Sequence, residues 1–255
     1  MIPDWLHALA ILSVAAGIVS AILIAIDVKH HPQHMVIMNA VWPISGLYGG
    51  PLAVWGYWRH GRSAGGHGGH AGHEGHAGHG GGNHDASSHQ NGGGTPHFAS
   101  IGKGAAHCGA GCTLGDIIAE WLVFFVPAIA VWFGWHSVFS EKIFAVWILD
   151  YILAFGFGIV FQYYAIKPMN DDMSPAQGII AAVKADTLSL TAWQVGMYGF
   201  MAIAHFGLFG ALLGVRLEVN TVEFWFMMQI AMLCGFATAY PVNAWLIARG
   251  IKEAM

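Results

Sequence analysis

Six apolar runs, each long enough to cross about 30 Å of hydrocarbon at about 1.5 Å per residue, constrain this chain before anything else. They lie at 5–26, 36–57, 117–135, 143–166, 188–215 and 224–247. Only 9% of the 255 residues are charged while 56% are apolar, which is too little charge to clothe a soluble globule. A closed barrel would read instead as alternating segments of about ten residues. The expected fold is therefore all-α: a polytopic integral membrane protein with six transmembrane helices. The stretch before the first run lacks a positive n-region and no small-residue cleavage site follows, so that run reads as a retained span.

Six spans place both termini on one side. One face then collects Arg59, Arg62, Lys103, Lys167, Lys184, Arg249 and Lys252, the other only Lys29, Lys142 and Arg216. The positive-inside rule makes the first face, and with it both termini, cytoplasmic. The net charge of −4 is spread between apolar runs rather than gathered in a basic stripe, which excludes nucleic acid as a partner.

Composition shifts sharply once. From residue 59 to 106 the chain is rich in Gly, Ser and His, and reads as a flexible cytoplasmic loop between a two-helix segment, 1–58, and a four-helix membrane domain, 107–255. His67, His70, His73, His76 and His79 recur every third residue. Neutral imidazoles on a flexible chain suit a metal buffer, while the plain alternative is a tract without an essential role.

At the mouth of the expected third span stand His107, Cys108 and Cys112, followed by Asp116. Thiolates and imidazole suit copper or zinc, and in a helix Cys108, Cys112 and Asp116 share one face. The C-x3-C spacing departs from zinc-ribbon and thioredoxin-like patterns. A redox pair and plain small-residue packing are the alternatives.

Deeper in the membrane, Met197, Met201 and His205 recur at steps of four, and Met227 and Met228 crowd the last span. Facing thioethers and imidazole would make a path for Cu(I), against the competing reading of methionine as core filler. His205 and Asp150 are ionisable groups inside spans, where each needs a partner; Asp150 is the first expected for His205, with interhelical bonding to Gln162, Gln194 or Asn243 as the structural alternative. Two prolines and several glycines from Trp42 to Pro51 read as a broken or kinked helix.

Ser174-Pro175-Ala176-Gln177 matches a capping box that starts a short surface helix, and Asp186-Thr187 offers a fresh cap for the fifth span. Gly17-Ile18-Val19 echoes Gly158-Ile159-Val160, and Gly46-Leu47-Tyr48-Gly49 echoes Gly196-Met197-Tyr198-Gly199, the pattern of a 3+3 inverted repeat.

Lys184-Ala185-Asp186-Thr187-Leu188-Ser189, Gly196-Met197-Tyr198-Gly199, Tyr240-Pro241-Val242-Asn243 and the His107 to Cys112 segment resemble an uncharacterised bacterial integral membrane family of unknown function, over roughly His107 to Met255. The resemblance implies an inner-membrane helical protein, associates it with copper-protein contexts, and carries no activity; the His-rich loop lies outside its pattern. The expectation is a bacterial inner-membrane protein that transports or delivers copper or zinc. Two alternatives stand beside it: a membrane oxidoreductase using Cys108 and Cys112 or a haem, and a non-catalytic assembly factor for a membrane metalloenzyme. Expected partners are the metal ion, the lipid bilayer, and a metalloenzyme or a second copy of the chain. No Walker motif is present, so transport would not hydrolyse ATP.

Overall fold

The computed structural model describes residues 1–33, 35–62, 97–167 and 173–252. The five histidines from His67 to His79 lie outside the described residues. Secondary structure among those described is helical: α1 (Asp4–His30), α2 (Met38–Gly56), α3 (His97–Phe125), α4 (Ala128–Trp132), α5 (Lys142–Ile166), α6 (Pro175–Ala202) and α7 (Val222–Ala248). A π-helical turn, Tyr57–Gly61, continues α2, and a longer π-helical stretch, Ile203–Leu212, continues α6. The chain is a multi-pass membrane protein in which five helices are long and apolar enough to cross: α1, α3, α5, α6 with its extension, and α7.

The second apolar run, 36–57, folds differently from the expected span. Gly50 takes φ 52°, ψ −134°, a conformation that suits glycine, and splits α2 into arms at residues 38–49 and 51–61. Neither arm can cross, since twelve residues rise only about 18 Å. The arms return to the same end of the bundle: Trp42 packs edge-on against Tyr57, with ring centroids 5.5 Å apart, and leaves no room for a side chain at Gly61. At the base, Tyr57 donates to Asp27 Oδ2 at 2.8 Å, and Arg62 reaches both oxygens of Asp27 at 3.1 Å. α2 is a re-entrant hairpin.

That hairpin changes the topology. Glu223 at the start of α7 bonds His7, Gln229 bonds Ser13, and the amino terminus donates to Leu213 O, so α1 and α7 run parallel. The described ends of the chain therefore lie at opposite ends of the bundle. Six crossings would put both termini on one face; with five candidate spanning helices the described ends lie apart. The hairpin base, the start of α3 and the end of α7 share one end: His60 packs on Phe98, and Tyr240 donates to Phe98 O. We call this the hairpin end, and the other, where α6 turns into α7, the far end.

Two boundaries also shift. α3 starts at His97, twenty residues before the expected third span, so residues 97–106, read as loop, are helical and the cysteine motif lies well inside a helix. The Ser174 capping box forms as read, with Gln177, but α6 then continues past Asp186, so Thr187 bonds back to Val183 O instead of capping a new helix. Of the two repeat echoes, Gly17 and Gly158 both lie inside long helices, whereas Gly46–Gly49 ends one arm of a hairpin and Gly196–Gly199 lies in a long continuous helix.

α3 is the central helix, packed against α2, α5, α6 and α7. Small residues permit this. A Cβ on Gly111 would lie 2.9 Å from Gly158 N, and one on Gly115 2.6 Å from Ala154 N, so Gly-x3-Gly on α3 meets Ala-x3-Gly on α5 backbone to backbone. Trp193 of α6 fills the space above Gly109 and Gly235, fully buried.

Candidate functional site

The tip of the hairpin hangs over a cavity of about 290 Å³ between α1, α3 and α7. Tyr48 roofs it from the tip, and Thr113, Asp116, Met228, Gln229 and Met232 line it. Toward the far end Trp121 and Trp225 stack across it, ring centroids 6.0 Å apart and planes 16° apart. A second cavity, about 420 Å³, lies on the hairpin side, where Tyr48 is again a wall together with Trp42, His60, Phe98, Lys103 and Phe236. Tyr48 thus stands between the two spaces. Its hydroxyl donates to Ser45 Oγ at 3.3 Å and its ring meets Trp193 edge-on.

Local chemistry explains why the tip holds there. Pro51 has no N–H to offer the Leu47 carbonyl one turn back, so a donor has to come from elsewhere. Gln229 Nε2 supplies it at 2.6 Å, while Ser13 donates to Gln229 Oε1 at 2.8 Å. One amide thereby joins α1, α2 and α7 beside the cavity. Non-helical backbone at membrane depth is tolerated where it is buried in protein or lines a cavity, and Gly50 is buried.

Along α3, Cys108, Cys112, Asp116 and Glu120 recur at steps of four on the buried face. Both carboxylate oxygens of Asp116 lack a hydrogen-bond partner among the described residues, and Asp116 is the acid that faces the cavity. Asp150, also without a hydrogen-bond partner among the described residues, lies on α5 close enough to Asp116 and Glu120 to interact electrostatically, which the antiparallel α3–α5 register explains. Glu120 has Lys142 as its cationic neighbour at the far end.

A second polar cluster sits nearer the hairpin end. Cys108 Sγ donates to Asp186 Oδ1 at 2.8 Å and lies 2.8 Å from Ser189 Oγ, which accepts from Asn243 Nδ2 at 2.6 Å. Lys252 folds back after α7 and places its Nζ 3.4 Å from both Cys108 Sγ and Asp186 Oδ1. Burial alone lowers the pKa of Lys252, but the adjacent thiol and carboxylate outweigh it and hold the ammonium above the usual lysine value.

The expected site residues divide accordingly. Cys108, Cys112 and Asp116 share a face as read, and Met228 joins Asp116 at the cavity. Met197, Met201 and Met227 are packed in the core and do not line that cavity. His107 is fully buried against Phe161, with no well-formed hydrogen bond on either ring nitrogen among the described residues, although the Phe161 carbonyl lies beside it. His205 does not meet Asp150; it lies half-buried in the π-helical stretch, with Glu141, Glu218 and Arg216 as charged neighbours near the far end. Among the described residues no three His, Cys, Asp or Glu side chains converge on one point. Glu120, Asp186, Lys252, Tyr48 and Gln229 were not among the expected site residues. Glu120 was an acid inside an apolar run, a signal open to the same argument as Asp150.

No curated protein and no solved structure matches this chain. A family described as a domain of unknown function, DUF4396, matches residues 97–252, from the first residue of α3 to the lysine that closes the Cys108 cluster. That match covers both polar clusters on α3 and leaves out the hairpin that roofs the cavity. By the extent of the match, the chain belongs to the DUF4396 family.

Proposed function

We propose that the chain is a membrane transport protein that carries a small cation along the buried face of α3, with a soft metal ion such as copper, then zinc, as the favoured cargo. The observation that carries this reading is Asp116, a buried carboxylate with no partner among the described residues, facing a cavity whose other walls include the thioethers of Met228 and Met232. The thioethers select a soft cation, and the single carboxylate offsets a low charge. Cys108 and Cys112 continue the same stripe toward the hairpin end, and ligands presented singly let an ion leave as well as enter. The re-entrant hairpin supports the reading further, because broken backbone at membrane depth marks sites in transporters and channels.

Orientation follows from charge. With five crossings, Lys29 joins the hairpin end, which then holds eight of the ten Lys and Arg residues. We place the hairpin end, the His-rich segment and the carboxyl terminus in the cytoplasm of a bacterium, the protein in its inner membrane, and the amino terminus outside. The His-rich segment would collect the metal on the cytoplasmic side. Thiol oxidoreduction gains little support, since Cys108 and Cys112 are fully buried free thiols.

The test is uptake of Cu(I), Zn(II) and K⁺ into proteoliposomes by wild type, Asp116→Asn and Cys112→Ser. Soft-metal flux should fall at least about tenfold in Asp116→Asn without loss of fold, because the amide keeps the shape and removes the charge. Wild-type flux no greater than that of empty vesicles for every ion would overturn the reading.

A further inference from the structure

Among the described residues Lys252 is the one cation inside the Cys108 cluster, and its contacts are loose. Charge-assisted N–H···O bonds run at about 2.7–2.9 Å. Here the ammonium stands 3.4 Å from Asp186 Oδ1 and 3.4 Å from Cys108 Sγ. Two acceptors of the same cluster, Asp186 Oδ2 and Asn243 Oδ1, are buried without a hydrogen-bond partner among the described residues. The chain therefore gathers a thiol, a carboxylate, a hydroxyl and an amide oxygen, and satisfies them incompletely.

Glycine lets the neighbouring helices come close to those acceptors. A Cβ on Gly158 would lie 2.6 Å from Asp186 Oδ2, and one on Gly104 would lie 3.6 Å from Asn243 Oδ1 and 3.9 Å from Lys252 Cε. Four segments converge here: α3 with Cys108, α6 with Asp186 and Ser189, α7 with Asn243, and the turn after α7 with Lys252. That turn is made by Gly250 at φ 66°, with Ile251 exposed on the outside.

We infer that Cys108, Asp186, Ser189 and Asn243 form a binding site for a soft monovalent cation, and that the Lys252 ammonium occupies it as a tethered stand-in until the cation displaces it. The idea rests on the transport reading only in taking the ion onward to Cys112 and Asp116. Exchange is electrically balanced: the cation takes Cys108 as the thiolate, the thiol proton passes along its hydrogen bond to Asp186 Oδ1, and one positive charge enters as the ammonium leaves, with no electron moved. An ammonium is a compact point charge on a flexible stem, so it can fill a cation site and withdraw from it. Sulfur gives the site its preference: a soft ion gains a ligand that ammonium cannot use well. When Lys252 leaves, the turn after α7 undocks, so occupancy of the site is reported at the hairpin end of the molecule.

The experiment measures modification of Lys252 by an amine-reactive reagent, read by mass spectrometry on the full chain in detergent, with Ag(I), Cu(I) or K⁺ added. In the absence of soft metal Lys252 should be protected. Saturating Ag(I) or Cu(I) should raise its modification at least about tenfold, the population shift expected when a ligand favours the undocked state, whereas K⁺ should not. Cys108→Ser should keep Lys252 protected and abolish the response to Ag(I). Full modification of Lys252 without metal, or protection unchanged at saturating Ag(I) in wild type, would overturn the inference whatever the variant does. Vesicle flux measured in parallel separates the two readings: release of Lys252 without flux refutes transport alone, and flux without release refutes the stand-in alone.

Discussion

Replacing Gln229 by Met tests whether the hairpin is held by one amide. Methionine is similarly long and unbranched, so it fits the notch at Gly17, where a Cβ would come within 2.5 Å of Gln229 Nε2. What it removes is the donor to Leu47 O and the acceptor for Ser13 Oγ. Interhelical side-chain bonds in membranes average about 0.6 kcal/mol and reach about 1.7, because the freed groups usually find other partners. Leu47 O lacks that escape, since Pro51 offers no N–H, and a stranded carbonyl costs about 1–3 kcal/mol. We expect Gln229→Met to cost about 2 kcal/mol, and Ser13→Ala about 0.5, its hydroxyl being the lesser bond. The double variant should cost less than the sum, because one amide serves both. Reversible unfolding in mixed micelles followed by tryptophan fluorescence reads these values. A loss under about 0.5 kcal/mol in Gln229→Met would refute the argument, since Leu47 O would then have another donor.

Three further outcomes are expected. Reporters fused at the amino terminus and after Lys252 should fall on opposite sides of the membrane, and reporters on one side would restore six crossings. Gly115→Val should break the α3–α5 contact, since its Cβ would lie 2.6 Å from Ala154 N, whereas Gly102→Val, whose nearest neighbour is Phe236 Cζ at 4.0 Å, should be tolerated; equal effects in thermal unfolding would refute the close approach. Because the ammonium of Lys252 is held above its ordinary 10.5, the stability it contributes is complete below that value and is lost only as pH rises through the higher folded value. Comparing wild type with Lys252→Met from about pH 6 to about pH 9 should therefore show a constant difference, and a slope in that window would show that another group titrates with it.

The membrane class, the placement of four long apolar helices and the Ser174 cap were legible in sequence because each rests on a local rule. α3 was misread at its start because Gly102, Gly104, Gly109 and Gly111 look like loop composition, yet Gly109 and Gly111 are glycine for the sake of a neighbour, Trp193 or the α5 backbone. Propensity is weak against that kind of packing. The break in α2 was visible at Gly49-Gly50-Pro51, but whether the chain kinks or doubles back depends on Gln229 and Asp27, far away in sequence. Asp186 matched a cap by its neighbours in sequence, while its fate was set by Cys108 and Lys252.

Asp186 and Lys252 also impose an order on how the protein is made. They are 66 residues apart, so at about 5–20 residues per second the ribosome adds the lysine roughly 3–13 s after the aspartate. During that interval α6 carries an acid whose charge partner has yet to be synthesised, and lipid is a poor host for it. Insertion of α6 cannot be finished when its own residues have been made. The nascent chain has to keep that helix beside water or the insertion machinery until α7 and the turn beyond it emerge, and a ribosome stalled within α7 would leave α6 with a carboxylate held by Cys108 alone and without its counter-charge.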